Sequence, residues 1–177
     1  MNKIVTTLFA FIFFVSFLTP FAPRAYALTL TQDKIIYDLP YPGILPDNPL
    51  YFLKVIRDRL VEVGTRDPMK KAEFYFLMSD KRVAMAIELE KKGKVTLAVS
   101  TFSKGEKYFL KIPDLIITSK KQGVGPTQGF IEKLKQSNMK HREVAETLLK
   151  ELPLGQTDAM NDIIDMNTSA RRALNKL

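Results

Sequence analysis

"DPMKKAEFYFLMSDKRVAMAIELEKKG", Asp67 to Gly93, reads as one uninterrupted helix, and it decides the fold class. Asp67 is a side-chain acceptor placed for an N-cap, and Pro68 stands at N1, where its missing N–H costs nothing. Gly93 supplies the stop. One apolar stripe runs through Met69, Ala72, Phe76, Val83 and Ile87, widened by Leu77, Ala84 and Ala86. Phe74, Met78 and Met85 form a second stripe on nearly the opposite side. A helix apolar on two sides is either sandwiched between neighbours or offers one side to a partner.

Upstream, Asn48-Pro49 repeats the cap-plus-proline start. The helix it opens runs to about Val63, with a stripe of Leu53, Ile56, Leu60 and Val63 opposite Lys54, Arg57, Asp58 and Glu62, and Gly64 ends it. The loop to Asp67 is so short that the two helices form an antiparallel hairpin. Pro40, Pro42 and Pro46 hold the preceding stretch extended, and we read it as the docked edge of a domain.

Downstream, "KKGK" (Lys91 to Lys94) turns into a third helix with the stripe Val95, Ala98, Phe102, Gly105, Phe109, Ile112. Gly105 allows close backbone approach. Pro113 breaks the helix, and Asp114 to Lys121 is a short restart. "GVGPTQG" (Gly123 to Gly129) lacks a Gly-Lys-Ser/Thr ending and reads as a connector rather than a phosphate cradle. A fourth helix spans about Phe130 to Leu152, and a fifth runs from Thr157, read as its N-cap, to Leu177. The expected fold is all-α: a helical bundle or stacked helical hairpins of about five helices.

The N-terminus has the pattern of an export signal. Lys3 precedes an uncharged apolar run, Ile4 to Leu18, then Pro20 and a small-x-small site at Ala25-Tyr26-Ala27. The run is shorter than the roughly 20 residues of a spanning helix unless extended through Phe21 and Ala22, and the agreement of Pro20 with the Ala-x-Ala site favours cleavage after Ala27; an uncleaved membrane anchor is the alternative. The expected organisation is a signal peptide (1–27), a flexible arm (28–38) and one helical domain (39–177). With no cysteine, that domain is held by packing alone. An extracytoplasmic location, secreted or envelope-associated, follows as the expectation.

The chain carries a formal charge of +8, and residues 94–142 hold ten Lys or Arg against three acids. Lys104, Lys107, Lys111, Lys120, Lys121, Lys133 and Lys135 are the candidate contacts for an anionic lipid or wall polymer, set against the plain reading of a solvated surface. No nucleic-acid motif accompanies the charge.

Chemistry-bearing patterns are sparse. One histidine, His141, and no cysteine leave little from which to build a zinc or copper site. Asp158, Asp162 and Asp165 read as a solvated first turn favoured by the helix dipole. No nucleophile elbow surrounds any serine, so we expect no enzyme, no cofactor and no metal. His141 lies at the edge of the fourth helix's apolar stripe, which also contains Asn138, and Asn167 lies inside the fifth helix's stripe. If the turn centres on Leu154, His141 and Asn167 meet as a buried polar pair that fixes register; the alternative is that "QSNMKH" (136–141) is a frayed, solvated midsection. Asn167-Thr168-Ser169 also matches a glycosylation pattern, which that burial would exclude.

The stretches "LPYPGILPDNPLYFLKVIRDRL" (39–60) and "TRDPMKKAEFYFLMSDKRVAMAIELEKKGK" (65–94) resemble an uncharacterised bacterial family, domain of unknown function 5667. The resemblance covers about residues 39–112, leaving 113–177 as a helical extension. It implies an exported or membrane-anchored helical domain and carries no catalytic residues. The expected function is a non-enzymatic interaction module of the cell envelope that meets a protein partner through Phe74, Met78 and Met85. Electrostatic binding of lipid or polymer through residues 94–142 is the alternative.

Overall fold

The computed structural model describes residues 36–152 and 154–177. The segment expected to be a signal peptide (1–27) and residues 28–35 of the expected arm lie outside the described residues. The helices are α1 (Tyr51–Gly64), α2 (Pro68–Lys91), α3 (Val95–Phe109), α4 (Ile112–Lys121), α5 (Gln128–Glu151) and α6 (Thr157–Leu174), with a 3-10 turn at Leu154–Gln156 before α6. No strand occurs among the described residues. The fold is all-α, as the periodicity predicts.

Local chemistry explains most boundaries. Asp67 Oδ1 accepts from Lys70 N at 2.8 Å, with Pro68 in the first turn of α2. Thr127 Oγ1 accepts from Phe130 N and starts α5 ahead of the expected Phe130. Asn48 differs from expectation: its Oδ1 accepts from Leu50 N at 2.8 Å, making a turn, and α1 begins only at Tyr51. Thr157 is the first residue of α6 rather than its cap, a position that Gln156 occupies. Pro113 is tolerated because it sits in the first turn of α4, so the break expected there becomes the α3–α4 joint at Leu110–Lys111.

Four helices, α2, α3, α5 and α6, share a core split into two apolar ends, the second of which α4 also lines. One end gathers Val83, Leu89, Phe102, Leu148, Met160 and Ile163. The other gathers Phe76, Phe109, Ile112, Leu134, Ala170 and Leu174. Between them each helix buries a polar residue at the same height: Asp80 on α2, Glu106 on α3, His141 and Asn138 on α5, and Asn167 on α6. Gly105 lets α3 close on α2 at this level. A Cβ there would lie 3.2 Å from both Ser79 O and Arg82 Cβ.

The proline-rich stretch is docked. Leu39 and Leu45 pack on the first apolar end, and Asp47 binds Lys94 at 2.9 Å and Lys92 at 3.2 Å in the α2–α3 turn. Tyr37, assigned to the flexible arm from the sequence, donates to the buried Asp80 carboxylate at 2.5 Å, so the described end of the arm is fixed to the bundle. Its phenol pKa is pushed above the usual range, first by burial and then by that bond.

Candidate functional site

The polar layer is the first site to weigh. His141 is fully buried; its Nδ1 meets Glu106 Oε1 at 2.7 Å and its Nε2 meets Asp80 Oδ1 at 3.0 Å. Ser137 Oγ donates to the same Asp80 oxygen at 2.5 Å. Burial works against the imidazolium. The Glu106 charge and the bonds to Asp80 and Glu106 outweigh it and raise the pKa to about 9. With both ring nitrogens donating, the histidine ties α2, α3 and α5 together.

Asn138 and Asn167 form a second unit in the layer. Asn138 Nδ2 donates to Asn167 O at 3.1 Å, and Asn167 Nδ2 donates to Asn138 O at 2.9 Å. The expected His141–Asn167 pair is therefore replaced. Both residues are buried, but Asn167 pairs one helical turn earlier, with Asn138, so the two helices pair about a point before Leu154, and Leu154–Gln156 wind as a 3-10 turn that already leads into α6. Burial of Asn167 also excludes a glycan there. A carboxylate–imidazole–carboxylate array has the groups for proton transfer, yet His141 and Glu106 expose no surface on which a substrate could meet them.

The stripe expected to meet a partner is inside the bundle. Met78 and Met85 are buried and Phe74 is half-buried against the second apolar end, so the sandwiched alternative for α2 holds. The seven lysines disperse. Lys104, Lys107 and Lys111 line a shallow cleft of about 210 Å³ with Arg82 and Tyr108, where Lys111 Nζ stands 5.5 Å from the Tyr108 ring centre. Lys120 and Lys121 end α4, and Lys120 Nζ binds the Leu177 main-chain oxygen at 2.7 Å. Lys133 lies over the Phe76 ring and Lys135 is 3.9 Å from Glu132, both on α5. No cluster of three or more metal-ligating side chains occurs among the described residues.

The surface feature that sequence reasoning missed is α1. Its stripe faces solvent together with Phe52: Phe52, Leu53, Ile56, Leu60 and Val63 are between 53% and 69% exposed. The polar side faces the body instead. Glu62 Oε1 accepts from Tyr75 Oη at 2.8 Å, and Arg82 Nη1 donates to Tyr51 Oη at 3.3 Å, so the hairpin is antiparallel but bridged by long polar side chains. Burial opposes the Glu62 carboxylate, but the bonds from Tyr75 and Arg59 outweigh it and hold its pKa below the usual range. The same contact, after burial, pushes the Tyr75 phenol up to about 12. Lys54 turns back to Pro42 O at 3.0 Å, which fastens α1 to the proline-rich stretch. A cleft of about 440 Å³ opens there, lined by residues including Tyr41, Ile44, Leu53, Arg57 and Lys81.

The model of one family, Domain of unknown function (DUF5667), matches residues 43–155. The chain belongs to this family. The match runs past the 112 expected from the motifs and takes in α4 and α5, so the family unit contains Asp80, Glu106 and His141, while α6 with Asn167 follows it. No curated protein and no solved structure matches the chain.

Proposed function

We propose that this protein is a non-enzymatic, exported interaction module whose working element is the outward apolar side of α1. One observation carries the reading: an amphipathic helix is mounted with its polar side toward the body and its apolar side outward. Contiguous apolar surface of this kind marks contact sites in soluble proteins. The N-terminal signal pattern supports an extracytoplasmic setting, and the buried histidine network supports a rigid body rather than a reaction centre.

The test separates contact from folding. Leu53→Ser, Ile56→Ser and Leu60→Ser together remove exposed apolar surface, so stability should stay within about 1 kcal/mol of the parent. Retention in the envelope fraction of the native cell should fall. Unchanged retention with an intact fold would refute the reading.

A further inference from the structure

We infer that the outward side of α1 lies on an anionic lipid surface, with the helix axis in the plane of the headgroups. The inference rests on the reading of α1 as the contact element and names its partner. At 3.6 residues per turn, Phe52, Val63, Ile56, Leu60 and Leu53 fill an arc of about 100°. Arg59 borders that arc on one side and Arg57 on the other.

The charges are sorted by sign. Arg57 pairs with Asp58 at 2.7 Å and Arg59 with Glu62 at 2.9 Å. In each pair the acid is tucked toward the body and the arginine stands in solvent: side-chain exposures are 65% against 13%, and 70% against 11%. The more exposed charge in each pair is therefore the basic one. Further cations continue the sign beyond the helix. Lys81 shares the cleft with Arg57, while Lys104, Lys107 and Lys111 share theirs with Arg82, which holds Tyr51.

This is the build of an interfacial helix: a convex apolar arc, an aromatic at its edge, and a long cation at each margin. The arc lacks the polar groups that fix register at a protein–protein contact, and a bilayer demands none. The apolar segment Ile4 to Leu18 lies earlier in the same chain and by its pattern addresses a membrane.

The absence of cysteine makes a site-specific test direct. The full chain would carry Ile56→Cys or Leu60→Cys labelled with an environment-sensitive fluorophore, and Lys150→Cys as a reference on α5. Each is mixed with phosphatidylcholine vesicles, with or without phosphatidylglycerol as a quarter of the lipid. Local probes distinguish contact by α1 from any binding through residues 1–27. The expected result is a blue shift, and quenching by nitroxide-bearing lipid, at Ile56 and Leu60 but not at Lys150. It should require phosphatidylglycerol and weaken steeply toward about 1 M salt. Replacing both margins, Arg57→Gln with Arg59→Gln, should weaken the response up to about thirtyfold, from roughly tenfold per 1.4 kcal/mol and about 1 kcal/mol per basic residue at an anionic surface.

No quenching at Ile56 or Leu60 overturns the lipid assignment. So does equal quenching on pure phosphatidylcholine. A photo-crosslinker at Leu60 in the native cell then separates the two levels: a discrete band with another protein or a second copy of this chain keeps α1 as the contact element. Absence of both lipid contact and crosslink removes the underlying reading as well.

Discussion

The single histidine offers a clean measurement of how the core is held. His141 is fully buried with carboxylates at 2.7 Å and 3.0 Å on its two nitrogens, and its pKa is raised to about 9. An unfolded histidine titrates near 6.5. The folded value is the higher one, so the stabilisation is complete below about pH 6.5 and is lost as pH rises through about 9. A gap of about 2.5 units at 1.36 kcal/mol each corresponds to roughly 3 kcal/mol. Urea unfolding from pH 6 to pH 10 should show a fall of that order, and NMR of the lone imidazole should place its titration near 9 with no assignment problem. Glu106→Gln keeps the shape of the contact and removes the largest favourable charge. It should move the imidazole titration toward neutrality and shift the loss of stability to lower pH. An imidazole titrating at or below 6.5 in the parent, with stability flat over that range, would refute the ion-network account.

The asparagine pair predicts near-additive losses, because each side chain donates to the other's main-chain carbonyl, which a substitution leaves in place. Asn167→Leu and Asn138→Leu should each cost about 1 kcal/mol, and a double-mutant cycle in urea should show little coupling between them. Gly105→Ala gains helix propensity of about 1 kcal/mol but drives a methyl against Ser79 O and Arg82 Cβ, an overpacking cost of about 1–3 kcal/mol, so it should destabilise slightly; a gain in stability would contradict the close approach. Tyr37→Phe should cost about 1 kcal/mol and speed amide exchange in residues 36–47, because the Asp80 bond fastens that segment. Exchange in α1 should be faster than in α2, since polar bonds hold α1 while α2 is buried on two sides.

Much of this molecule is written locally. Asp67-Pro68 and Gly93 bound α2 because caps are short-range chemistry, whereas the two apolar stripes of α2 leave open whether the second meets a partner or the rest of the chain, a choice that only the tertiary packing makes. The buried polar residues are half legible. Asn138 and Asn167 stand out because they interrupt apolar stripes, and His141 because it edges one. Asp80 and Glu106 do not, because a charged residue on a helix ordinarily reads as solvated, and the partners that compensate their burial, His141 for both and Tyr37 and Ser137 for Asp80, lie far away in the chain. The register slip follows from the connection between α5 and α6. Asn138 and His141 lie three residues apart on one side of α5, so a small displacement of the turn's centre selects one over the other. The orientation of α1 was hidden for a different reason. An amphipathic stripe states which side is apolar but not whether that side meets the core. Here the deciding facts lie on α2, where Tyr75 and Arg82 present polar ends that only the polar side of α1 can satisfy.

These two findings bear on each other. Four helices carry a polar residue at one height, and any slip by one turn would set Asp80, Glu106 or Asn167 against an apolar neighbour at a cost of several kcal/mol. The body is thereby confined to one packing arrangement, and it does not depend on α1 for its core. A 14-residue helix is marginal in isolation. The bonds through Tyr51, Lys54 and Glu62 each contribute about 1 kcal/mol. α1 is therefore held in place without being sealed, and a surface that takes its apolar side adds stability by linkage rather than competing with the core for it. A helix with its stripe turned inward would have gained burial and lost that capacity. The inversion becomes intelligible when the second apolar phase is supplied from outside the chain.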